Sequence, residues 1–146
     1  MKIAVGCDHG GFEYKELIKQ MLTEAGHDVE DFGCYNTDSI DYPDFAAPAA
    51  RSVADGKNER GIVICSTGIG VSIAANKIDG VRCALCGDVV SARLTREHND
   101  SNVLAIGQLI IGKETMKEIV NTWMTTEFSQ GERHQRRIDK LMALEK

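Results

Sequence analysis

The 146-residue chain is long enough for one domain with a buried core, and we expect that domain to span residues 1–146, since 42% of the residues are hydrophobic. The formal net charge of −5 gives the chain as a whole no attraction for nucleic acids or anionic membranes. The longest apolar stretch, residues 103–111, is about half as long as a membrane span, and the first residues form a strand pattern rather than a secretion signal. We therefore expect a cytoplasmic protein with no nucleic-acid partner and no membrane partner.

Short β-branched runs alternate with helical patterns along the chain, which is typical of βα units repeated around a parallel sheet. Strands are predicted over residues 2–7, 27–32, 61–65, 82–86 and 103–106. Helices are predicted over residues 12–25, 43–55, 71–77, 88–97, 113–125 and 132–144. The pattern predicts a single-domain α/β fold, a three-layer Rossmann-like sandwich with a five-stranded parallel sheet and an additional C-terminal helix.

The five cysteines are an odd number in a chain without an export signal, so we interpret them as thiols rather than as a disulfide framework. Cys83 and Cys86 have the Cys-x-x-Cys spacing of zinc and redox sites. They lie on a predicted strand, however, where side chains three residues apart point to opposite faces of the sheet. We therefore expect no metal site at this pair.

Polar segments follow two of the predicted strands at the edge of the sheet where ligands of parallel α/β proteins bind. Cys-Asp-His-Gly-Gly occupies positions 7–11, after the first strand, and Cys-Ser-Thr-Gly-Ile-Gly occupies positions 65–70, after the third. Glu-His-Asn-Asp at 97–100 is predicted to be a loop that follows the helix after strand four. We expect these three segments to meet along one rim of the sheet.

The segment 65–70 combines a cysteine with a glycine-rich turn. Gly68 and Gly70 allow the backbone to turn sharply and to point successive N–H groups at an anion, next to the N-terminus of the following helix. The same groups would stabilise a thiolate at Cys65. Two plainer interpretations stay open, because glycine-rich βα turns are common without a ligand and a strand-end cysteine is often a small buried apolar residue.

Spacing excludes three known uses of such a loop. A cysteine phosphatase needs an arginine six positions after the cysteine, where this chain has Val71; the Gly-Lys-Ser/Thr of a P-loop is absent; and residues 68–73 do not match the dinucleotide-binding fingerprint. What remains is a thiolate beside N–H donors. Such a site is suited to removing a proton next to a carbonyl and to stabilising the enediolate that results.

Other polar residues add acid–base and phosphate-binding candidates. Asp8 and His9 could contact sugar hydroxyls and a phosphate, although Asp8 could also cap the following helix. His98 is an acid–base candidate, since histidine exchanges protons near neutral pH. Arg133 and Arg137 are four residues apart on one helix face, where they would either grip a phosphate or form a solvated basic face.

These motifs resemble the type B ribose-5-phosphate isomerases, in the family that also contains the galactose-6-phosphate isomerase subunits. The resemblance covers nearly the whole chain. Its motifs are Gly-Cys-Asp-His-Gly-Gly at 6–11, Asp-Tyr-Pro-Asp at 41–44, Cys-Ser-Thr-Gly-Ile-Gly-Val-Ser-Ile-Ala-Ala-Asn-Lys at 65–77, Arg-Glu-His-Asn-Asp at 96–100 and Gly-Glu-Arg-His-Gln-Arg-Arg at 131–137.

The resemblance implies a flavodoxin-like sheet with strand order 2-1-3-4-5 and the interconversion of ribose 5-phosphate and ribulose 5-phosphate through an enediolate, without metal or cofactor. It implies a homodimer with shared active sites, which could pair into a tetramer. Among catalytic residues it implies Cys65 as the base, Thr67 as a proton shuttle and His98 for opening the furanose ring. The implied substrate-binding residues are Asp8 and Tyr42 for the sugar, the backbone of Ser66, Gly68, Ile69 and Gly70 for the enediolate, Asn99 for a further substrate contact, and His9, Arg133 and Arg137 for the phosphate.

The chain departs from the family pattern at two positions. Ser66 stands where members commonly have glycine, and Leu109 stands where they usually have a phosphate-binding arginine. Leu109 therefore keeps open an isomerase of a hexose 6-phosphate, such as allose or galactose 6-phosphate. From another class, a phosphocysteine carrier domain of a sugar-uptake phosphorelay stays open as well, although such carriers place the cysteine after the first strand.

Overall fold

Every predicted strand is present in the computed structural model, which describes residues 1–145. All five strands are parallel neighbours in one sheet. In chain order they are β1 (Lys2–Cys7), β2 (Asp28–Asp31), β3 (Arg60–Cys65), β4 (Cys83–Leu85) and β5 (Val103–Gly107).

Helices cover both faces of the sheet, which confirms the three-layer sandwich. They are α1 (Phe12–Glu24), α2 (Pro43–Ala54), α3 (Ile69–Asn76), α4 (Val89–Asn99), α5 (Lys113–Thr125) and α6 (Glu132–Met142). One apolar layer packs α1 and α5 against the sheet, and a second layer packs α2 and α3 against the opposite face. Because both faces are covered, the central strands β1, β3 and β5 are buried and uncharged after the first residues of β1 and β3, Lys2 and Arg60, as expected for parallel strands.

The expected strand order 2-1-3-4-5 is wrong for the last two strands, because the sheet runs β2-β1-β3-β5-β4. All five residues of β5 are buried, and Val103 to Gly107 pair with β3 along their length. β4 has only three residues, of which Leu85 is exposed. A fully apolar strand gains most from burial on both sides, so β5 takes the interior position and the short β4 becomes the edge.

Helix α4 is longer than predicted and contains His98 and Asn99, which we expected in a loop. It ends where Asp100 adopts the left-handed conformation with φ 45°. Arg96 Nη1 donates to Asp100 Oδ1 at 2.8 Å, which stabilises this last turn. Within residues 1–145, no helix is both long and apolar enough to span a membrane.

Candidate active site

The turn that follows β3 wraps backbone N–H groups around the side chain of Cys65. Cys65 ends β3 and is only 5% exposed, and the N–H of Gly68 donates to its Sγ atom at 3.1 Å. The N–H of Ile69 donates to Oγ1 of Thr67 at 3.2 Å. Both N–H groups lie at the start of α3, where backbone donors lack helical partners and favour negative charge. A thiolate at Cys65 thus has a hydrogen-bond donor already in place.

Only glycine can occupy position 68 in this turn. Its φ of +76° lies in the left-handed region, and a Cβ atom there would come within 2.8 Å of the carbonyl carbon of Ile106 and 2.9 Å of the nitrogen of Gly107. The turn therefore rests directly on the end of β5. This contact places the cysteine loop between β3 and β5 at the carboxyl edge of the sheet.

The loop after β1 lies beside the cysteine loop. Asp8 is 8% exposed, its N–H donates to the carbonyl of Ile64 at 3.2 Å, and its Oδ1 accepts the N–H of Gly10 at 2.9 Å. The hydroxyl of Ser66 fills the space where a side chain at Gly10 would stand, so the two loops are in contact. Asp8 therefore caps a local turn while its carboxylate stays at the same edge as Cys65.

His9 is oriented by a backbone group that the sequence analysis did not single out. The N–H of Ile40 donates to Nδ1 of His9 at 3.2 Å. When Nδ1 accepts this bond, a neutral imidazole carries its proton on Nε2 and can donate it to an anion. The segment between β2 and α2 thus fixes the hydrogen-bonding sense of His9.

Tyr42 reaches the cysteine loop from the start of α2. A Cβ atom on Gly70 would come within 2.8 Å of Cε1 of Tyr42, so the phenol ring lies directly against the glycine. The predicted site residues that lie together at this edge form the carboxyl-edge group. They are Asp8, His9, Tyr42, Cys65, Ser66, Thr67, Gly68, Ile69 and Gly70.

Leu109 also lies at the carboxyl edge, on the loop after β5. Its N–H donates to the carbonyl of Ser66 at 2.9 Å, and its side chain is 78% exposed. The preceding Gln108 donates to the carbonyl of Cys65 at 2.9 Å. Both departures from the family pattern, Ser66 and Leu109, are therefore hydrogen-bonded neighbours beside the thiol.

The remaining predicted residues lie at the opposite, amino edge of the sheet, and we call them the amino-edge group: His98, Asn99, Arg133 and Arg137. The carbonyl of Asn99 accepts a hydrogen bond from Nε of Arg82 at 3.0 Å. Arg82 directly precedes β4, and its backbone N–H bonds to Asn102 just before β5. The end of α4 is thereby fixed to the amino ends of these strands.

Arg133 and Arg137 face a cavity of about 320 Å³ that His98 and Asn99 also line. Within residues 1–145 neither guanidinium forms an ion pair, and the nearby Asp139 instead accepts a bond from Gln135 at 2.8 Å. Two unpaired guanidinium groups beside a cavity favour an anion site over a face neutralised by nearby carboxylates.

The expectation that segments 7–11, 65–70 and 97–100 share one rim is wrong for the third segment. A helix that follows a parallel strand returns along the sheet, so its last turn lies at the edge where the strand began. The six residues of β3 alone separate the two edges by about 16 Å. Within the described part of the chain, the two groups of predicted site residues do not meet.

Sequence reasoning missed His134, which lies next to His98. Their ring centroids are 4.4 Å apart, with the planes tilted by 36°. The spacing to Ile138, four residues later, was the available signal, because it places His134 on the buried face of α6.

The two cysteines of the Cys-x-x-Cys pair lie apart, with Cys86 buried and Cys83 half-buried. Cys83 packs against the α2 and α3 layer, whereas Cys86 belongs to the α1 and α5 layer on the other face. Burial is the main cause that raises the pKa of each thiol, so both favour the protonated form. Among residues 1–145, no three His, Cys, Asp or Glu side chains form a cluster suited to a metal ion.

A parallel sheet with a cysteine, a turn of N–H donors and an Asp-His pair at its carboxyl edge has the features of an α/β enzyme that moves protons on a small substrate. The chain belongs to the Ribose/Galactose Isomerase family, whose pattern matches residues 3–141.

Individual relatives agree with this assignment along nearly the whole chain. Ribose-5-phosphate isomerase B of Escherichia coli (strain K12) is 46% identical over 144 residues, covering 99% of this chain and 96% of that protein. The structure of Clostridium thermocellum ribose-5-phosphate isomerase B superposes with a TM-score of 0.97 at 47% identity, covering 99% and 97% of the two chains. Ribose-5-phosphate isomerase B of Mycoplasma genitalium, solved with bound ribulose 5-phosphate, gives a TM-score of 0.94 at 38% identity, covering 99% and 95%.

Proposed function

We propose that this protein is an aldose–ketose isomerase that interconverts ribose 5-phosphate and ribulose 5-phosphate, with residues 1–146 acting as one catalytic domain. The observation that carries the proposal is the hydrogen bond from the Gly68 N–H to Sγ of Cys65, at the carboxyl edge of the sheet. The names of the E. coli and C. thermocellum relatives support the choice of substrate.

In the proposed chemistry, the Cys65 thiolate removes the proton from C2 of the open-chain aldose. The C2–H electron pair forms the C1–C2 double bond, and the carbonyl oxygen O1 becomes the negatively charged oxygen of an enediolate. The proton then returns to C1, while the O2 hydroxyl loses its proton to O1 and becomes the new carbonyl. Thr67, whose hydroxyl lies within the same turn, is placed to pass the proton between the two oxygens.

The N–H groups of Gly68 and Ile69 already bond Sγ of Cys65 and Oγ1 of Thr67, so the other N–H groups of the loop, such as that of Gly70 in the first turn of α3, are the donors for the enediolate. Donors that are fixed in advance stabilise charge as it develops and need no reorganisation during the reaction. Asp8 and Tyr42 flank the loop and would contact the sugar hydroxyls. At this edge His9 supplies a donor for the phosphate.

A complete site requires two copies of the chain in this proposal. Cys65 lies at one edge of the sheet, whereas His98, Arg133 and Arg137 lie at the other, about 16 Å or more away. A homodimer in which each amino-edge group faces the partner's carboxyl-edge group would bring together the base, the ring-opening histidine and the phosphate-binding arginines. Exposed apolar side chains beside the cysteine loop, Ile69, Ile73 and Leu85, offer surface for that contact.

The direct test is isomerase activity on ribose 5-phosphate, compared between the unaltered protein, Cys65→Ala and Cys83→Ala. Removing the catalytic base lowers kcat by about 10²- to 10⁴-fold. Cys83→Ala, which removes a half-buried thiol outside the cysteine loop, is expected to keep kcat within about twofold of the unaltered protein. Equal activity of all three proteins would contradict the role of Cys65.

The same assay on allose 6-phosphate and galactose 6-phosphate tests the alternative substrates. The exposed Leu109 adds no charge at the carboxyl edge, which leaves phosphate binding to His9 and the arginines. The relatives named for ribose 5-phosphate favour the pentose, so we expect the higher kcat/KM with ribose 5-phosphate. Family membership likewise does not favour the phosphocysteine carrier.

A further inference from the structure

His134 and His98 form a stacked pair of imidazoles at the amino edge. Their centroid separation of 4.4 Å and tilt of 36° are those of aromatic rings in contact. His134 is 9% exposed, whereas His98 is half-buried and lines the cavity with Arg133 and Arg137. The buried ring therefore forms a wall against which the more accessible ring rests.

The buried ring is itself held by hydrogen bonds. Oγ of Ser129 lies 2.7 Å from Nδ1 of His134 and also accepts the N–H of Gly131 at 3.1 Å. The backbone N–H of Ser129 donates to the carbonyl of Glu97 at 3.2 Å, one residue before His98. Ser129 thus connects the end of α4, which carries His98, to the ring that packs on it.

The surroundings favour a neutral His134. Loss of hydration lowers its pKa, and His98, Arg133 and Arg137 lower it further, while Glu97 acts in the opposite direction. A neutral aromatic face can lie against an imidazolium without charge repulsion. His98 therefore packs against a ring whose surroundings disfavour a positive charge.

We propose that His134 is a positioning residue that holds the imidazole of His98 in the orientation needed to open the furanose ring of the substrate. This rests on the proposed isomerase function. Ring opening moves a proton from the O1 hydroxyl to the ring oxygen O4, so the C1–O4 bond breaks and O1 becomes the aldehyde oxygen. A histidine that relays this proton must face both oxygens, and misplacing it by about 1 Å can cost about 10²-fold in rate.

Two reactions separate ring opening from the later proton transfer. Turnover of ribose 5-phosphate requires both steps. Ribulose 5-phosphate is always in the open-chain form, because the phosphate on its 5-hydroxyl prevents closure of a five-membered ring. Exchange of its C1 proton with D₂O therefore needs no ring opening and requires only the Cys65 chemistry. Exchange is followed by NMR, and turnover by ribulose formation.

Two substitutions separate the ring face from simple packing. His134→Leu fills much of the volume without a ring, and His134→Phe restores the ring. We expect His134→Leu to lower kcat for ribose 5-phosphate by about 10- to 100-fold, with KM and the exchange rate changing less than about threefold. His134→Phe should recover most of the lost kcat.

A third variant covers the case in which His134→Leu does not fold. Ser129→Ala leaves both rings in place and releases only the hydrogen bond to Nδ1, and we expect the same selective loss at a smaller magnitude. The positioning role of His134 is refuted if turnover is unchanged, if turnover and exchange fall together, or if His134→Phe and His134→Leu behave alike. An unaltered protein with neither turnover nor exchange would instead refute the proposed function.

Discussion

At the scale of single residues, Gly68 decides whether the cysteine loop can form. Gly68→Ala is expected to lower the free energy of unfolding by about 3 kcal/mol, because left-handed strain of about 1–2 kcal/mol adds to overpacking of about 1–3 kcal/mol against β5. It should also abolish isomerase activity, since the N–H that bonds Cys65 Sγ must move. Urea unfolding and the isomerase assay measure the two effects.

Gly56 provides the matched control. It has the same φ of +76°, but a Cβ atom there would meet nothing within 4 Å. Gly56→Ala should therefore cost only the strain, about 1–2 kcal/mol, and leave activity unchanged. If both variants were equally stable and equally active, the close approach of Gly68 to β5 would have no consequence.

The residues of the cysteine loop were the most predictable part of the site. Cys65, Gly68 and Gly70 lie within six consecutive positions, so their spacing indicated a thiol beside N–H donors. His134 was not predictable in this way. Its contact with His98 joins two helices and spans 36 residues of sequence. Its bond to Ser129 is formed across a turn in which Gln130 has a left-handed φ of 62°.

At the scale of elements, a buried ion pair joins α1 to the end of β2. The side chain of Lys15 is fully buried and donates to Asp31 Oδ1 and Oδ2 at 2.9 and 2.8 Å and to the carbonyl of Cys34 at 2.6 Å. Burial opposes the charge on Asp31, but its bonds from Lys15 and Lys19 hold the pKa of this carboxyl below its usual value. The pair fixes the start of the segment that reaches Ile40 and His9.

Asp31→Asn is expected to lower the free energy of unfolding by about 3–5 kcal/mol, because it leaves the charge of Lys15 buried without its main partner. We place the expected value near the lower end, since Glu16 Oε1 lies 3.3 Å from the same ammonium group. Lys19→Met is the control, because that lysine is one-third exposed and its removal should cost less than about 1 kcal/mol. If urea unfolding gave the same loss of unfolding free energy for Asp31→Asn and Lys19→Met, the larger contribution assigned to the buried Lys15–Asp31 pair would be wrong.

The elements themselves were largely predictable, whereas their arrangement was predicted less well. Alternating patterns placed β1 at residues 2–7 and α5 at residues 113–125, as observed. The exchange of β4 and β5 in the sheet was missed because the sequence pattern predicts strands of similar length, 82–86 and 103–106, whereas in the structure β4 has only three residues and β5 has five. The position of His98 at the amino edge has a separate cause, because a crossover helix returns to the edge where its strand began.

At the scale of the whole molecule, the catalytic residues proposed here are divided between opposite edges of one sheet. The sequence analysis missed this division because it placed residues 97–100 in a loop, whereas His98 and Asn99 form the last turn of α4, which returns to the amino edge. The division turns the proposed dimer into a chemical requirement, since neither edge group contains both a base and the proposed ring-opening histidine.

Mixing two inactive variants tests whether each active site is shared between two chains. Cys65→Ala and His98→Ala are each expected to lose ribose 5-phosphate turnover. After the two are unfolded together and refolded at equal concentrations, half of the dimers should be mixed, and each mixed dimer contains one intact site of two. About a quarter of the unaltered activity should therefore be recovered. No recovery, with mixed dimers verified by native mass spectrometry, would contradict a site shared between two chains.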